Sequence, residues 1–195
     1  MFIIGLTGPI GSGKSVVSGV FKEHGFYVID TDQTARRVVY TGSECIRRIA
    51  EAFGSGYINL DGSLKRRELG DLVFSDPAKL EELNKITHPV IIKEIKEEIN
   101  TSNSDYILIE APALIQSGAD TICDAVVTVI ASVQQRVRRI TERDNLSSEQ
   151  AQARVSAQPP DDIFINMADY VIRNESDIKE LKVKANKLAN EILSD

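Results

Sequence analysis

The chain has 195 residues, 42% of them hydrophobic and 27% charged, and 23 basic against 29 acidic residues give a net charge of −6. That length suits one domain with a small appended lobe and is enough to bury a single core. The acidic balance argues against a nucleic-acid partner, and no run reaches the ~18 apolar residues that a membrane span needs.

The two cysteines, Cys45 and Cys123, lie far apart and fit no metal-ligand spacing. They read as thiols in a reducing compartment, and no basic leader precedes the first apolar run, so a cytoplasmic protein is expected. That run predicts a strand over residues 2–6. Directly after it comes "GLTGPIGSGKSVV". Gly8, four residues, then Gly13, Lys14 and Ser15 form the P-loop pattern. Glycines there let the backbone curl so that successive N–H groups face phosphate oxygens. The helix that follows, predicted over residues 15–24 and stopped by Gly25, adds its positive N-terminal end. Gly8, Gly11, Ser12, Gly13, Lys14, Ser15 and Val16 are thus the candidate contacts to the triphosphate of a nucleotide. Lys14 reaches toward the β- and γ-phosphates, and Ser15 offers a hydroxyl to Mg²⁺.

A second strand over residues 26–29 leads into "VIDTD". Ligands in open α/β sheets sit beyond the carboxyl ends of strands. Asp32 either accepts the proton of a phosphate acceptor or merely caps the next helix. Residues 59–100 contain no clear strand and read as a helical insertion. Asp76-Pro77 starts a helix there, which should stop before His88-Pro89 and resume to about Asn100. A third strand over residues 106–109 ends at Glu110, either a carboxylate that steadies magnesium or a solvated strand end. A fourth strand covers residues 125–130.

Residues 133–167 are helical and rich in arginine. Arg136, Arg139 and Arg143 share one stripe beside an apolar stripe of Val133, Val137 and Ile140. They form either a cationic lid over phosphates or a solvated face partnered by Glu142 and Asp144. A fifth strand over residues 170–172 precedes a closing amphipathic helix on Ile178, Leu181, Ala185, Leu188 and Ile192. Strands apolar on both faces and separated by helices predict a P-loop NTPase fold. It is a three-layer α/β/α core with about five parallel strands, a helical acceptor-binding insertion and a helical lid. The core should comprise residues 1–58, 101–132 and 168–195, the acceptor lobe 59–100 and the lid 133–167.

A guanine-nucleotide switch would carry Asn-Lys-x-Asp, but the two Asn-Lys pairs continue as Ile86-Thr87 and Leu188-Ala189. A motor would need more chain. A small kinase needs an acceptor pocket, an orienting carboxylate and a lid, and each has a candidate. The rivals are a nucleoside monophosphate kinase and a nucleotide-binding regulator without turnover.

The whole chain also resembles the dephospho-CoA kinases. The segments that carry the likeness are "IGLTGPIGSGKS", "VIDTDQTARRV", "LKRRELGDLVFSD", "LNKITHPVI", "EAPALI", "RITERDNLSSEQAQARVSAQ" and "ADYVIRN". The resemblance implies transfer of the ATP γ-phosphoryl group to the 3′-hydroxyl of dephospho-CoA, with Mg²⁺, by a monomer or weak homo-oligomer. It implies Asp32 as the catalytic carboxylate, and Lys14, Arg139 and Arg143 as catalytic cations. Arg66, His88, Pro89 and Leu114 fall in segments that line the acceptor site, and Arg173 and Asn174 near the adenine edge. The chain departs from the pattern at Pro9 (usually Gly), Val16 (usually Thr), Gln116 (usually acidic), Arg136 (often Gln) and Phe164 (usually Lys).

Overall fold

A computed structural model describes residues 1–194. Short stretches of β-branched and leucine residues become five strands: β1 (Phe2–Thr7), β2 (Tyr27–Asp30), β3 (Tyr106–Glu110), β4 (Ala125–Ile130) and β5 (Tyr170–Arg173). They form one parallel sheet in the order β2-β3-β1-β4-β5. The register sets Leu6 opposite Glu110 and Val127, and Ile130 opposite Arg173. The ends of each strand fall within one residue of the sequence expectation.

The chain divides into two units: residues 1–29 with the chain from Asn103 onward, and Asp30–Ser102. In the first, α1 (Lys14–Glu23) and α9 (Ile178–Ser194) pack together on one face of the sheet. Strand side chains alternate between faces. Ile4 and Leu6 therefore join Val17, Val20, Phe21, Leu181 and Ala185 in one core. Gly5 turns the other way, where Leu114 and Cys123 close over it. Helix α1 ends in a Schellman motif: Phe26 N–H bonds the Phe21 carbonyl at 3.1 Å and Gly25 N–H bonds that of Lys22 at 3.0 Å. The rings of Phe21 and Phe26 then meet edge to face at 4.9 Å. The arginine-rich segment folds in this unit as α6 (Val133–Asp144), α7 (Ser148–Ser156) and α8 (Asp161–Asn166).

The second unit holds α2 (Thr31–Val38), α3 (Glu44–Phe53), α4 (Arg66–Phe74) and α5 (Pro77–Thr101). Asp76 caps α5, its carboxylate accepting from Ala78 N–H at 3.0 Å. The expected break at His88-Pro89 does not occur: α5 runs unbroken from Pro77 to Thr101 with Pro89 inside it. Proline there removes the donor that Lys85's carbonyl would receive, a cost of about 3 kcal/mol. Burial on both sides of the proline outweighs it: Ile86 packs with Cys45, Ile49, Leu69 and Val73, while Ile91, Ile95 and Ile99, spaced four residues apart, are buried on another face. Fully burying four isoleucines contributes roughly 6–12 kcal/mol. No helix among the described residues is long and apolar enough to cross a membrane.

Candidate active site

The bend between β1 and α1 is forced by its contacts. A β-carbon on Gly8 (φ 139°) would fall 2.2 Å from the Val129 carbonyl oxygen of β4. Gly13 (φ 108°) is the N-cap of α1 and provides no capping side chain, and no acidic residue occupies the helix's first turn. A β-carbon there would fall 2.6 Å from Asn174 Nδ2 and 2.9 Å from Leu181 Cδ2. The start of α1 is thus a positive end left open for an outside anion. The Ser12 hydroxyl is fully buried, and nothing among the described residues bonds it. Lys14 Nζ folds back onto the carbonyls of Gly8 (2.7 Å) and Pro9 (3.2 Å). Ser15 is exposed on the first turn, while Val16 N–H turns inward to the Gly13 carbonyl at 3.1 Å.

The arginine-rich helices grip the outside of this bend. Arg139 Nη1 donates to the carbonyls of Gly11 (3.2 Å) and Ser12 (3.4 Å), and Nη2 to Asn174 Oδ1 (3.2 Å) and the Ser176 carbonyl (3.5 Å). Burial, reinforced by the charge of Arg138, lowers Arg139's proton affinity, but a guanidinium starts so high that it stays charged. Gln158 Oε1 accepts from Ile10 N–H at 2.6 Å. The Ile10 side chain packs with Ile140, Ala151 and Val155.

The expected arginine stripe is divided among three environments. Arg136 is 3% exposed and pairs with Asp161 at 3.0 Å, its Nε and Nη1 enclosed without a hydrogen bond among the described residues. Arg143 is exposed and makes a bidentate pair with Asp144 at 2.7 and 3.0 Å. Arg154 bonds the same carboxylate at 2.8 Å. Arg143's hydrogen bond, with both arginine charges adding, holds the Asp144 carboxyl below its ordinary range.

Asp30, not Asp32, caps α2: its Oδ1 accepts from the N–H groups of Asp32 (2.9 Å) and Gln33 (3.2 Å). The Asp32 carboxylate is exposed and takes no part in the cap. In the same unit Arg66 Nη2 donates to the carbonyls of Val39 (3.0 Å) and Arg36 (3.2 Å). His88 is half-buried and Pro89 exposed on α5. Glu110 is half-buried at the end of β3, and Arg173 is exposed at the end of β5. Leu114 is fully buried, its methyls filling the space over Gly5. Phe164 is likewise a core residue, 2% exposed.

The model of one family, dephospho-CoA kinase, matches residues 2–180. The chain belongs to the dephospho-CoA kinase family. A dephospho-CoA kinase of Corynebacterium glutamicum is 38% identical over 197 residues, covering 100% of this chain and 98% of that protein. The crystal structure of TT1252 from Thermus thermophilus superposes with a TM-score of 0.78 at 32% identity, covering 97% of each chain. The dephospho-CoA kinase structure from Campylobacter jejuni shares the fold with a TM-score of 0.71 at 24% identity, covering 97% of this chain and 96% of that one. For a dephospho-CoA kinase, the contacts least expected from sequence are those of Gln158 and Asn174. Each reaches the bend from about 150 residues away, Gln158 to Ile10 (separation 148) and Asn174 to Ser12 (separation 162). No local pattern marks such a contact.

Proposed function

We propose that this chain phosphorylates the 3′-hydroxyl of dephospho-CoA with ATP, releasing CoA and ADP. The observation that carries the kinase reading is the open bend. It combines an uncapped helix start, no first-turn acid, a buried unbonded hydroxyl at Ser12 and a lysine resting on loop carbonyls. That set suits a polyphosphate, because every group in it can donate to phosphate oxygens and no acidic side chain occupies the helix start. The acceptor's identity is supported by family membership.

In this reading Lys14 leaves its carbonyls for the β- and γ-phosphates, and the open N–H groups of the bend hold the chain of phosphates in line. The acceptor's 3′-oxygen forms the new bond to the γ-phosphorus as the bridging β–γ bond breaks, and the hydroxyl proton departs. Asp32 orients that hydroxyl and takes the proton, its carboxylate left available because Asp30 performs the capping. A carboxylate is a weak base at neutral pH, so alignment and charge neutralisation provide most of the rate. Residues 133–167 act as the lid, with Arg143 exchanging Asp144 for phosphate oxygens. Arg66, His88 and Pro89 serve the acceptor, and Arg173 the nucleotide.

Mg²⁺ fits the donor set. No cluster of three acidic, histidine or cysteine side chains that could hold a metal exists among the described residues. Magnesium in such sites keeps several waters and takes only one or two protein oxygens. Ser15 would supply one, with Glu110 steadying its waters, and the ion would neutralise charge on the phosphates.

An acceptor screen tests the reading. Coupled ADP release should need dephospho-CoA, should not occur with AMP, and should be slow with ATP alone. Lys14→Ala should abolish it. Transfer to AMP instead, or tight ATP binding with no transfer to any acceptor, would overturn the assignment.

A further inference from the structure

Asn174 carries more of the site than a place beside the base suggests. It follows β5, and its own N–H bonds the Ile130 carbonyl at 2.7 Å, so its backbone is fixed to the sheet. Its side chain is enclosed, the residue being 4% exposed. Both ends of its amide are committed: Nδ2 donates to the Ser12 carbonyl at 2.7 Å, and Oδ1 accepts from Arg139 Nη2 at 3.2 Å. One N–H and one lone pair of the amide remain, but with the residue 4% exposed they are enclosed and turned away from an outside base edge.

A peptide unit is planar and trans, so its C=O and N–H point in opposite directions. Asn174 and Arg139 together hold the Ser12 oxygen on the outside of the bend. The N–H of the same peptide unit, that of Gly13, must then point to the opposite side. Gly13 is the uncapped start of α1. The absence of a β-carbon at residue 13 is what lets Asn174 approach this closely. We propose that Asn174 is a positioning residue: it locks the Ser12–Gly13 peptide so that the Gly13 N–H faces the polyphosphate, and it holds Arg139 against the back of the loop. This rests on the nucleotide reading above and deepens it by giving Asn174 to the phosphates instead of the adenine.

Tripolyphosphate, which has no base, separates the two roles. Binding of ATP and of tripolyphosphate is measured by calorimetry with Mg²⁺ for the wild type and for Asn174→Leu, which is neutral and similar in size. Loss of the lock should weaken both ligands by the same factor, about tenfold for one lost backbone-directed hydrogen bond. The ATP-to-GTP preference should not change. Weakening of ATP alone would make Asn174 a base contact. A lower melting temperature with both affinities intact would make its role merely structural. Either result overturns the proposal. If the wild type binds neither ligand, the nucleotide reading itself has failed, a separate outcome. Asn174→Ala repeats the comparison should the leucine variant not fold. The side-chain amide resonances of Asn174 in the wild type provide a check free of mutation: they should shift equally with either ligand, and a shift with ATP alone would refute the lock.

Discussion

Replacing Gly8 by alanine should disable the bend and destabilise the protein together. The added carbon would sit 2.2 Å from the Val129 carbonyl oxygen and 3.1 Å from its nitrogen. Both are backbone atoms of β4, which is paired on both sides by β1 and β5, so neither can swing away as a side chain would. A φ of 139° is also a conformation in which an L-residue is strained, at about 1–3 kcal/mol. The overlap adds about 1–3 kcal/mol if it is relieved by small shifts. The total, about 2–6 kcal/mol, is a large part of the roughly 5–15 kcal/mol that stabilises a typical domain. For a chain of this size it corresponds to a fall in melting temperature of roughly 5–20 °C. The alternative relief is to part β1 from β4 beyond the Thr7–Thr128 pair, which carries the loop away from its place. Either way ATP affinity should be lost. Gly19→Ala is the matched control. Gly19 lies exposed within α1, nothing lies within 4 Å of the added carbon, and alanine there should stabilise by about 0.5–1 kcal/mol. Thermal melts with ATP calorimetry on the two variants decide the matter. A Gly8→Ala protein that melts and binds ATP as the wild type does would refute the account of the bend.

Asp32→Asn should lower kcat about 100-fold or more while leaving the KM for either substrate nearly unchanged; steady-state kinetics check this, and a near-normal kcat removes Asp32 from the reaction. Cys123 should be inert to thiol reagents in the native protein near pH 8, because burial first, and then Asp120 and Asp124, push its thiol up from 9.0 to about 12. The folded pKa is the raised one, so the thiol's contribution to stability is complete below about pH 9 and is lost as pH rises toward 12. Denaturant midpoints followed upward from pH 8 should show a decline that Cys123→Ala lacks. Labelling of the native protein as fast as a free thiol would contradict this.

The elements legible in the sequence were those governed by local rules. Strand positions followed from apolar runs, the bend from glycine spacing, and the start of α5 from Asp76-Pro77. Where long-range packing outweighs a local preference, the reading failed. Pro89 predicts a break, yet isoleucines buried before and after it keep α5 continuous. The sequence left Asp32 either an acceptor carboxylate or a helix cap, and the N–H geometry of α2 assigns the capping to Asp30 instead. Helical periodicity put Arg136 in line with Arg139 and Arg143, but it cannot tell that Asp161, 25 residues away, draws Arg136 inward. Leu114 carries no local mark of burial; what buries it is the missing side chain at Gly5, more than 100 residues earlier.

The bend near the amino terminus is finished by the far end of the chain. Asn174 braces Ser12 across a separation of 162 residues, and α9 packs along α1, with Leu181 crowding Gly13. A ribosome needs about 8–30 s to make that intervening length. Throughout that time the phosphate cradle has been synthesised but lacks its buttress. A nascent chain halted before α9 should therefore be unable to retain nucleotide, and competence should be gained late and abruptly, when the last helix docks.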